Sequence, residues 1–249
     1  MTTIKELREK LQGEKKLLRS HYWGYNWLYR KWSIYVTYLL SYTKISANQI
    51  SMLVIIFGVT ASYLAYIDKF YFAITFAYLN LLFDGVDGEI ARLRGVFSLK
   101  GVYLDTLNHL IIPALFLIAL SLNLNITLGL FGALAWSLMK ATGKLENKIF
   151  FGAYLGNEAR YDLPANTETF SNRLVTMCPN QIRRFWGIRY QIREYLIALI
   201  IFLIANILGV LPQTVFAYSL FLILHYIEEM YRGYFSIEKK VRSLGERLK

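Results

Sequence analysis

The chain has 249 residues, of which 55% are hydrophobic and 16% are aromatic, and its formal net charge at pH 7 is +11. The apolar residues form long runs, which argue against a soluble protein of one or two domains. The excess of Lys and Arg would suit a nucleic-acid-binding protein only if it formed a basic face on a folded soluble domain. The apolar runs leave scarcely any room for such a domain.

The first part of the chain, residues 1–47, is predicted to lie on the cytoplasmic face of a membrane. Residues 3–19 place three apolar side chains on one stripe among Lys and Glu, as in a short amphipathic surface helix. The members of this stripe are Ile4, Leu7 and Leu11. Residues 22–42 are rich in Trp and Tyr, whose rings favour the headgroup region. They indicate a second surface helix or, alternatively, a partly buried first span. Ser46 or Asn48 is a candidate cap for the helix that follows.

Six apolar runs come next, and several approach the ~20 residues that a helix needs to cross a bilayer. They cover residues 49–67, 71–83, 102–121, 124–139, 195–211 and 214–227. The sequence therefore predicts an all-α integral membrane protein with six transmembrane helices and an N-terminal amphipathic surface helix. Residues 48–235 would form the membrane domain, which includes a cytoplasmic loop at 144–193, and residues 236–249 would form a basic tail.

The distribution of the 28 Lys and Arg residues predicts how these helices are oriented. Nearly all of them lie before the first run, between the second and third, between the fourth and fifth, or after the sixth. The turns after the first, third and fifth runs contain one basic residue, Lys69. Cytoplasmic segments of membrane proteins carry such an excess of positive charge. Both termini are therefore expected in the cytoplasm, and the protein in the cell membrane of a prokaryote, where its charge would also attract anionic lipids.

Residues 81–109 bring acidic and small side chains into this apolar context. At about 100° per residue, one face of the second helix carries four such residues. They are Asp84, Asp87, Gly88 and Ala91, with Arg92 at the border. The third helix carries a second stripe. It consists of Gly101, Asp105 and His109, with Asn108 beside it. Because a short loop joins the two helices, both stripes are expected to face one cavity.

Carboxylates in or beside a membrane helix are costly and usually face a partner or an aqueous cavity. Three converging aspartates repel one another unless a cation joins them. Mg²⁺ takes oxygen ligands and commonly bridges to phosphate oxygens, so these stripes favour a nucleotide diphosphate substrate. Glycine and alanine on the same face would let a flat substrate approach the helix backbone closely. Buried aspartates also line ion paths, so a divalent-cation transporter is an alternative.

The spacing of these residues resembles a family signature, that of the CDP-alcohol phosphotransferases. The signature reads D-x2-D-G-x2-A-R, some eight residues, then G-x3-D-x3-D. The chain has seven of its eight positions, from Asp84 to Asp105, and departs from it at His109. Residues 47–51 (ANQIS) are also similar to the family segment P-N-x-[IVL]-[ST], with Ala47 in place of the proline.

The resemblance implies an enzyme that cleaves a CDP-alcohol at the cytoplasmic membrane face, transfers the alcohol phosphate to a second alcohol and releases CMP. Most relatives use CDP-diacylglycerol and make phospholipids, some use a soluble CDP-polyol, and the family often forms homodimers. Two divalent ions, Mg²⁺ or Mn²⁺, are implied between the aspartates and the diphosphate. By motif position the metal ligands would be Asp84, Asp87 and Asp105. The nucleotide site would be lined by Gly88, Ala91, Arg92 and Gly101.

His109 stands where the family has a fourth aspartate, which the resemblance implies is the general base and helps to hold metal. A neutral imidazole can accept a proton from the acceptor hydroxyl, so His109 is predicted to be the catalytic base. It cannot replace the missing negative charge. Two other interpretations therefore stay open: a nitrogen ligand for Mn²⁺ or Zn²⁺, and a structural residue in a catalytically impaired relative that binds CDP-lipid.

The acceptor side has fewer candidate residues. Lys140 and Lys144 lie one helical turn apart and would bind a phosphate group on the acceptor, or else extend to lipid headgroups. Asn108 cannot act as a base because an amide does not titrate, but it can orient an acceptor hydroxyl. An aspartate-rich prenyltransferase would need a second acidic motif, and the 144–193 loop offers only Asp162 in that role.

Overall fold

The structure is a computed structural model that describes residues 4–18, 30–96, 98–155 and 194–247, with side chains for 4–12, 30–96, 98–142 and 194–233. The described residues form eight α-helices and no strand. The helices are α1 (Ile4–Leu18), α2 (Lys31–Ser41), α3 (Ala47–Tyr66), α4 (Phe70–Arg94), α5 (Leu99–Asn123), α6 (Thr127–Leu155), α7 (Tyr195–Ile207) and α8 (Leu211–Arg247). The predicted all-α class is therefore confirmed. Most of the predicted 144–193 loop lies outside the described residues.

Each of the six predicted spans corresponds to one helix, from α3 to α8 in chain order. Among the described helices, α3 and α5 are long and apolar enough to cross a membrane, and α7 is a shorter apolar helix of 13 residues. The number of spans stays a prediction. Helix α8 has 37 residues and continues through the boundary predicted between membrane domain and tail.

A side-chain cap and several left-handed residues mark where the described helices begin and end. Ser46 caps α3 through a capping box: its Oγ accepts from the Gln49 backbone N–H at 3.3 Å, and its own N–H donates to Gln49 Oε1 at 2.8 Å. This confirms Ser46 among the two predicted caps. The turns α3–α4, α4–α5, α5–α6 and α7–α8 each contain a residue with positive φ. These residues are Asp68, Gly95, Asn125 and Gly209, residue types that adopt the left-handed region readily.

Close backbone approach holds α3 against α5. A Cβ on Gly58 would lie 2.5 Å from Ile112 Cγ2 and 2.9 Å from Asn80 Nδ2, so a larger residue would have to displace the side chains of Ile112 and Asn80. Gly132 makes the equivalent contact between α6 and α8, since its Cβ would lie 2.8 Å from the Ser219 backbone. Small residues thus determine how closely these helices approach one another.

The N-terminal helices pack on the protein as well as forming its surface. The predicted apolar stripe of α1 is buried, with Leu7 and Leu11 packed against Ile34 of α2 and near Leu93 of α4. Helix α2 buries Ile34 on one side, whereas Trp32 on the other side is 54% exposed. The amphipathic character of α1 therefore serves mainly to dock it beside α4, because its apolar face meets protein.

A buried carboxyl group joins these three helices. Glu89 of α4 is 1% exposed and accepts three hydrogen bonds, from Gln12 Nε2 at 2.7 Å, Ser33 Oγ at 2.8 Å and Thr37 Oγ1 at 2.7 Å. The donors come from α1 and α2, so Glu89 is an acceptor shared by both helices, although Gln12 and Ser33 also donate to the Arg30 carbonyl, at 2.9 Å and 3.3 Å. Nothing in the sequence pattern predicts this contact, since Glu89 and Gln12 are far apart in the chain.

We expect Glu89→Ala to destabilise the protein by about 2 kcal/mol or more, because it removes the buried acceptor that Gln12, Ser33 and Thr37 share. Denaturant unfolding in detergent micelles would measure the loss. Hydrogen exchange should also show faster exchange in α1 and α2 than elsewhere. Glu9→Ala is the matched control, since Glu9 is exposed on α1, and it should leave both measurements unchanged. Wild-type stability of the Glu89 variant would contradict the role assigned to this carboxyl group.

Candidate active site

The two predicted stripes meet in the halves of α4 and α5 that lie toward the turn joining these two helices. His109 Nε2 lies 3.5 Å from Asp84 Oδ2 and 3.5 Å from Asp105 Oδ1. One ligand atom from each of these three residues lies within 4.8 Å of the others. The convergence follows from helix periodicity, because Asp105 and His109 are four residues apart and lie on the same face of α5.

The cluster is open on one side and enclosed on the other. The side chains of His109 and Asp105 are each 49% exposed, whereas that of Asp84 is 12% exposed. Two carboxylate oxygens and one imidazole nitrogen form a donor set that suits Mn²⁺, and Mg²⁺ through its oxygens. The residues present therefore fit a divalent ion that a substrate phosphate can also reach.

A relay of amide side chains orients Asp84. Asn80 Nδ2 donates to the Val54 carbonyl at 2.8 Å and to Asn108 Oδ1 at 2.8 Å. Asn108 Nδ2 in turn donates to Asp84 Oδ1 at 2.9 Å. Both asparagines are buried, at 1% and 3% exposure. The relay leaves Asp84 Oδ2 to face His109, so the carboxylate presents one fixed oxygen to the cluster.

Asp87 lies beside the cluster and outside its tightest part. It is 8% exposed, and its Oδ2 accepts a hydrogen bond of 2.6 Å from Ser51 of α3. Asp84 and Asp105 are close enough to repel its charge. Three carboxylates near one another are stable together only if positive charge compensates them, which a divalent ion would supply.

The predicted nucleotide-site residues lie on the same helices. A Cβ on Gly88 would lie 3.2 Å from Arg92 Nη1, so the absence of a side chain there lets the guanidinium fold back along α4. A Cβ on Gly101 would lie 3.0 Å from Asn48 Oδ1, next to the point where Asn48 Nδ2 donates to Ser98 Oγ at 3.2 Å. Both glycines therefore border polar groups that are held in place.

Arg94 holds the entry to α3 near this site. Its guanidinium donates to the backbone carbonyls of Ile45, of Thr43 at 2.7 Å and of Leu40 at 3.4 Å. These carbonyls belong to the end of α2 and the segment between α2 and α3. The arginine thus ties the last turn of α4 to the segment that leads to the Ser46 cap.

The two predicted acceptor lysines lie on α6. The Lys140 ammonium sits 5.1 Å from the centre of the Trp136 ring, within the range of a cation–π contact. Trp136 itself contacts the turn of α5 that carries His109, since its Nε1 donates to the His109 carbonyl at 3.3 Å. Lys144 belongs to α6, but its side chain lies outside the described residues.

Sequence reasoning missed several residues that support the site. Ser51 was part of the ANQIS segment, but nothing there indicated Asp87 as its partner. Asn80 interrupts apolar sequence, and a polar residue in such a context is a signal that was available. Glu89 lies within the acidic motif at residues 84–92, where a further charged residue is not distinctive. Arg94 and Trp136 gave no signal, because basic and aromatic residues are common at the ends of membrane helices.

Comparison with known families decides which family this arrangement belongs to. The family model for CDP-alcohol phosphatidyltransferases matches residues 44–225. The chain belongs to this family. No curated protein matches the chain at a significant level. The match covers most of the chain and includes both stripes of the site, the entry to α3 and the helices through the middle of α8.

Membership of the CDP-alcohol phosphatidyltransferase family confirms the resemblance seen in the motif. The family consists of membrane-associated transferases of phospholipid biosynthesis that move a phosphate group from a CDP-alcohol donor to an alcohol acceptor and use divalent metals. The cluster of Asp84, Asp105 and His109 is consistent with metal use.

Proposed function

We propose that this protein is an integral membrane CDP-alcohol phosphotransferase that transfers a substituted phosphate from a CDP-alcohol to an alcohol hydroxyl and releases CMP. CDP-diacylglycerol is the favoured donor, and a soluble CDP-polyol is the alternative. The observation that carries the proposal is the convergence of Asp84, Asp105 and His109, with 3.5 Å contacts from the imidazole, inside the segment that matches the family.

The carboxylates have distinct tasks in this proposal. Asp84, Asp87 and Asp105 would hold two divalent ions, Mg²⁺ or Mn²⁺. Bound metal supplies charge neutralisation at the diphosphate and at the departing CMP. The Asn108 amide keeps one oxygen of Asp84 occupied, and Ser51 does the same for Asp87. These contacts limit the rotation of both carboxylates, so that the ligand geometry is largely in place before substrate arrives.

His109 is the proposed general base. Its half-exposed imidazole can accept the proton of the acceptor hydroxyl as the oxygen attacks phosphorus and the bond to the CMP oxygen breaks. Asp84 and Asp105 each place one carboxylate oxygen 3.5 Å from the imidazole Nε2. The reaction is then an in-line displacement in which the proton stays on His109 until solvent or product removes it.

The remaining predicted residues bind the two substrates. Gly88, Ala91, Arg92 and Gly101 would line the nucleotide site, where the glycines permit close approach and the guanidinium carries positive charge. Lys140 and Lys144 would bind a phosphate group on the acceptor. Because Asn108 is buried and bonded to both Asn80 and Asp84, we assign it to orienting Asp84, and an acceptor contact would have to use its remaining N–H.

The proposal includes the membrane arrangement. Helices α3 to α8 would be the six spans, with both termini and the active site in the cytoplasm of a prokaryotic cell and residues 48–235 as the catalytic domain. The apolar side chains exposed along α3 and α8 support contact with lipid; they include Met52, Ile56, Val59, Phe216, Leu220 and Leu224. A homodimer is the expected assembly.

A metal-dependent assay tests the function directly. We expect the purified protein in detergent to release CMP from CDP-diacylglycerol when Mn²⁺ or Mg²⁺ and a suitable alcohol from a panel are present, and to stop when EDTA is added. Chromatography would measure CMP and the new phosphodiester. Parallel reactions with soluble CDP-polyols would identify the alternative donor class.

Two outcomes would contradict the proposal. Absence of CMP with every donor and acceptor, together with retained binding of CDP-lipid, would favour the catalytically impaired relative that the missing fourth aspartate suggests. Metal-dependent transport of ions into vesicles without CMP release would favour the cation transporter. Release of CMP in equal amount to the phosphodiester would exclude both the impaired relative and the cation transporter.

A further inference from the structure

A proline in α5 leaves the carbonyl of His109 without its usual helical partner. In an α-helix the carbonyl of residue 109 accepts from the N–H of residue 113, and Pro113 has no N–H. Trp136 of α6 supplies a donor instead, since its Nε1 hydrogen-bonds to the His109 carbonyl at 3.3 Å. Trp136 is 5% exposed, so this contact lies within the packed helix interface.

The adjacent carbonyl offers an internal comparison. Ser137 Oγ donates to the Leu110 carbonyl at 3.2 Å, so two consecutive residues of α6 contact two consecutive carbonyls of α5. The residue four positions after Leu110 is Ala114, which does carry an N–H. Only the Trp136 contact therefore replaces a donor that the helix itself cannot provide.

We propose that Trp136 is the positioning residue for His109. Its indole N–H donates to the His109 carbonyl in place of the backbone N–H that Pro113 lacks. The proposal rests on the proposed function, because it assigns a task to the turn that carries the base. Asp105 and His109 occupy one turn of α5, and the His109 imidazole must reach Asp84 on α4. A carbonyl anchored to α6 holds that turn at a fixed height and rotation relative to α4.

The physical reason is that proline removes one hydrogen bond from the helix, so the turn before it is held less firmly unless the free carbonyl finds another donor. A buried acceptor without a donor favours bending or rotation of the preceding turn toward water. Such movement would displace the His109 side chain, and a misplacement of ~1 Å can cost about 10²-fold in rate. The Lys140 ammonium over the Trp136 ring further restricts that ring.

A double-substitution cycle tests this. We expect Trp136→Phe to lower kcat by about ten-fold while KM for the CDP-alcohol changes by less than about two-fold, since positioning and not binding is lost. Adding Pro113→Ala should recover most of that loss, because residue 113 then carries an N–H that can bond to the His109 carbonyl. Pro113→Ala alone should stay close to wild type.

Ser137→Ala is the matched control. It removes a hydrogen bond between the same two helices, one residue further along, and should change kcat by less than about two-fold. Pro113→Ala should not alter its effect. To separate the lost N–H from the smaller ring of phenylalanine, Trp136 can be replaced by benzothienylalanine, in which sulfur replaces N–H at nearly the same volume. The benzothienylalanine variant should show the same loss of kcat as Trp136→Phe. It also provides the test if Trp136→Phe does not fold.

A second measurement is independent of turnover. The dissociation constant for Mn²⁺ alone, measured by calorimetry on each variant, should rise for Trp136→Phe and return toward wild type with Pro113→Ala, because Asp105 lies on the same turn as His109. If the wild type binds Mn²⁺ but releases no CMP, the proposed function fails. The Mn²⁺ dissociation constants of the variants then still show whether Trp136 positions the turn.

Three results would overturn the positioning role. In the first, the Trp136 variants keep wild-type kcat and Mn²⁺ affinity. In the second, Trp136→Phe and Ser137→Ala lower kcat by the same factor, and Pro113→Ala restores kcat in neither variant. Trp136 would then contribute only packing. In the third, the wild type neither releases CMP nor binds Mn²⁺, which removes this inference together with the proposed function.

Discussion

Replacement of His109 by alanine is expected to abolish CMP release, and replacement by aspartate is expected to restore a large part of it. Alanine offers no group that can take the acceptor proton, and a positioned base contributes typically about 10²–10⁴-fold to such a step. Aspartate supplies the group that the family signature has at this position. In the wild type, the imidazole Nε2 lies 3.5 Å from an oxygen of Asp84 and 3.5 Å from an oxygen of Asp105.

His109→Gln and the pH dependence separate the base from a metal ligand. Glutamine keeps a polar side chain but cannot titrate, so a base at position 109 predicts a variant as inactive as alanine. The wild-type rate should fall on the acid side as the imidazole becomes protonated, and this limb should be absent from the same pH range in His109→Asp.

A role of His109 as a nitrogen ligand predicts instead that His109→Asp shifts the preferred ion from Mn²⁺ toward Mg²⁺. Full activity in the alanine variant would disprove both roles.

Asp84→Asn is expected to lower CMP release by at least about 10²–10³-fold, the size of effect seen when one preorganised electrostatic contact at a reacting group is removed. Asp84 is the member of the cluster that is least exposed, and it is the one held by Asn108. The substitution preserves its volume and removes its charge. Mn²⁺ affinity, measured by calorimetry without substrate, should fall in parallel.

Asp68→Asn is the matched control for Asp84→Asn. Asp68 lies in the turn between α3 and α4 with φ of 61°, a conformation that asparagine also tolerates, and it is far along α4 from the site. The control should retain activity and metal affinity. Metal-dependent turnover that survives in Asp84→Asn would show that the ion is held elsewhere, and the proposed ligand set would then be wrong.

The convergence of the two stripes was predictable because it depends on local geometry. The helical repeat places Asp105 and His109 on one face of α5. Because only a few residues connect α4 and α5, the two helices pack side by side, and this face of α5 lies opposite Asp84. The capping role of Ser46 was predictable for the same reason, since a capping box involves only residues 46–49. Neither prediction required knowledge of distant parts of the chain.

The supporting contacts were not predictable in this way. Gln12 and Glu89 meet across 77 residues of sequence, and Ser51 and Asp87 across 36. Trp136 reaches the His109 carbonyl only because α6 packs on α5 at that height. Such pairs depend on how helices dock, and an isolated pattern of polar and apolar residues does not encode which donor will meet which acceptor.

The helical class, the order of the helices, the acidic motif and the departure from the family signature at His109 can be predicted from the chain alone, because they depend on composition, periodicity and spacing. Three features depend on how the helices pack: which oxygen of Asp84 faces the imidazole, the docking of α1 on α4 through Glu89, and the hydrogen bond from the α6 indole to the helix interrupted by Pro113. The physical reason is that buried hydrogen bonds between helices require both partners to be brought within about 3 Å, and only packing of the whole molecule does so.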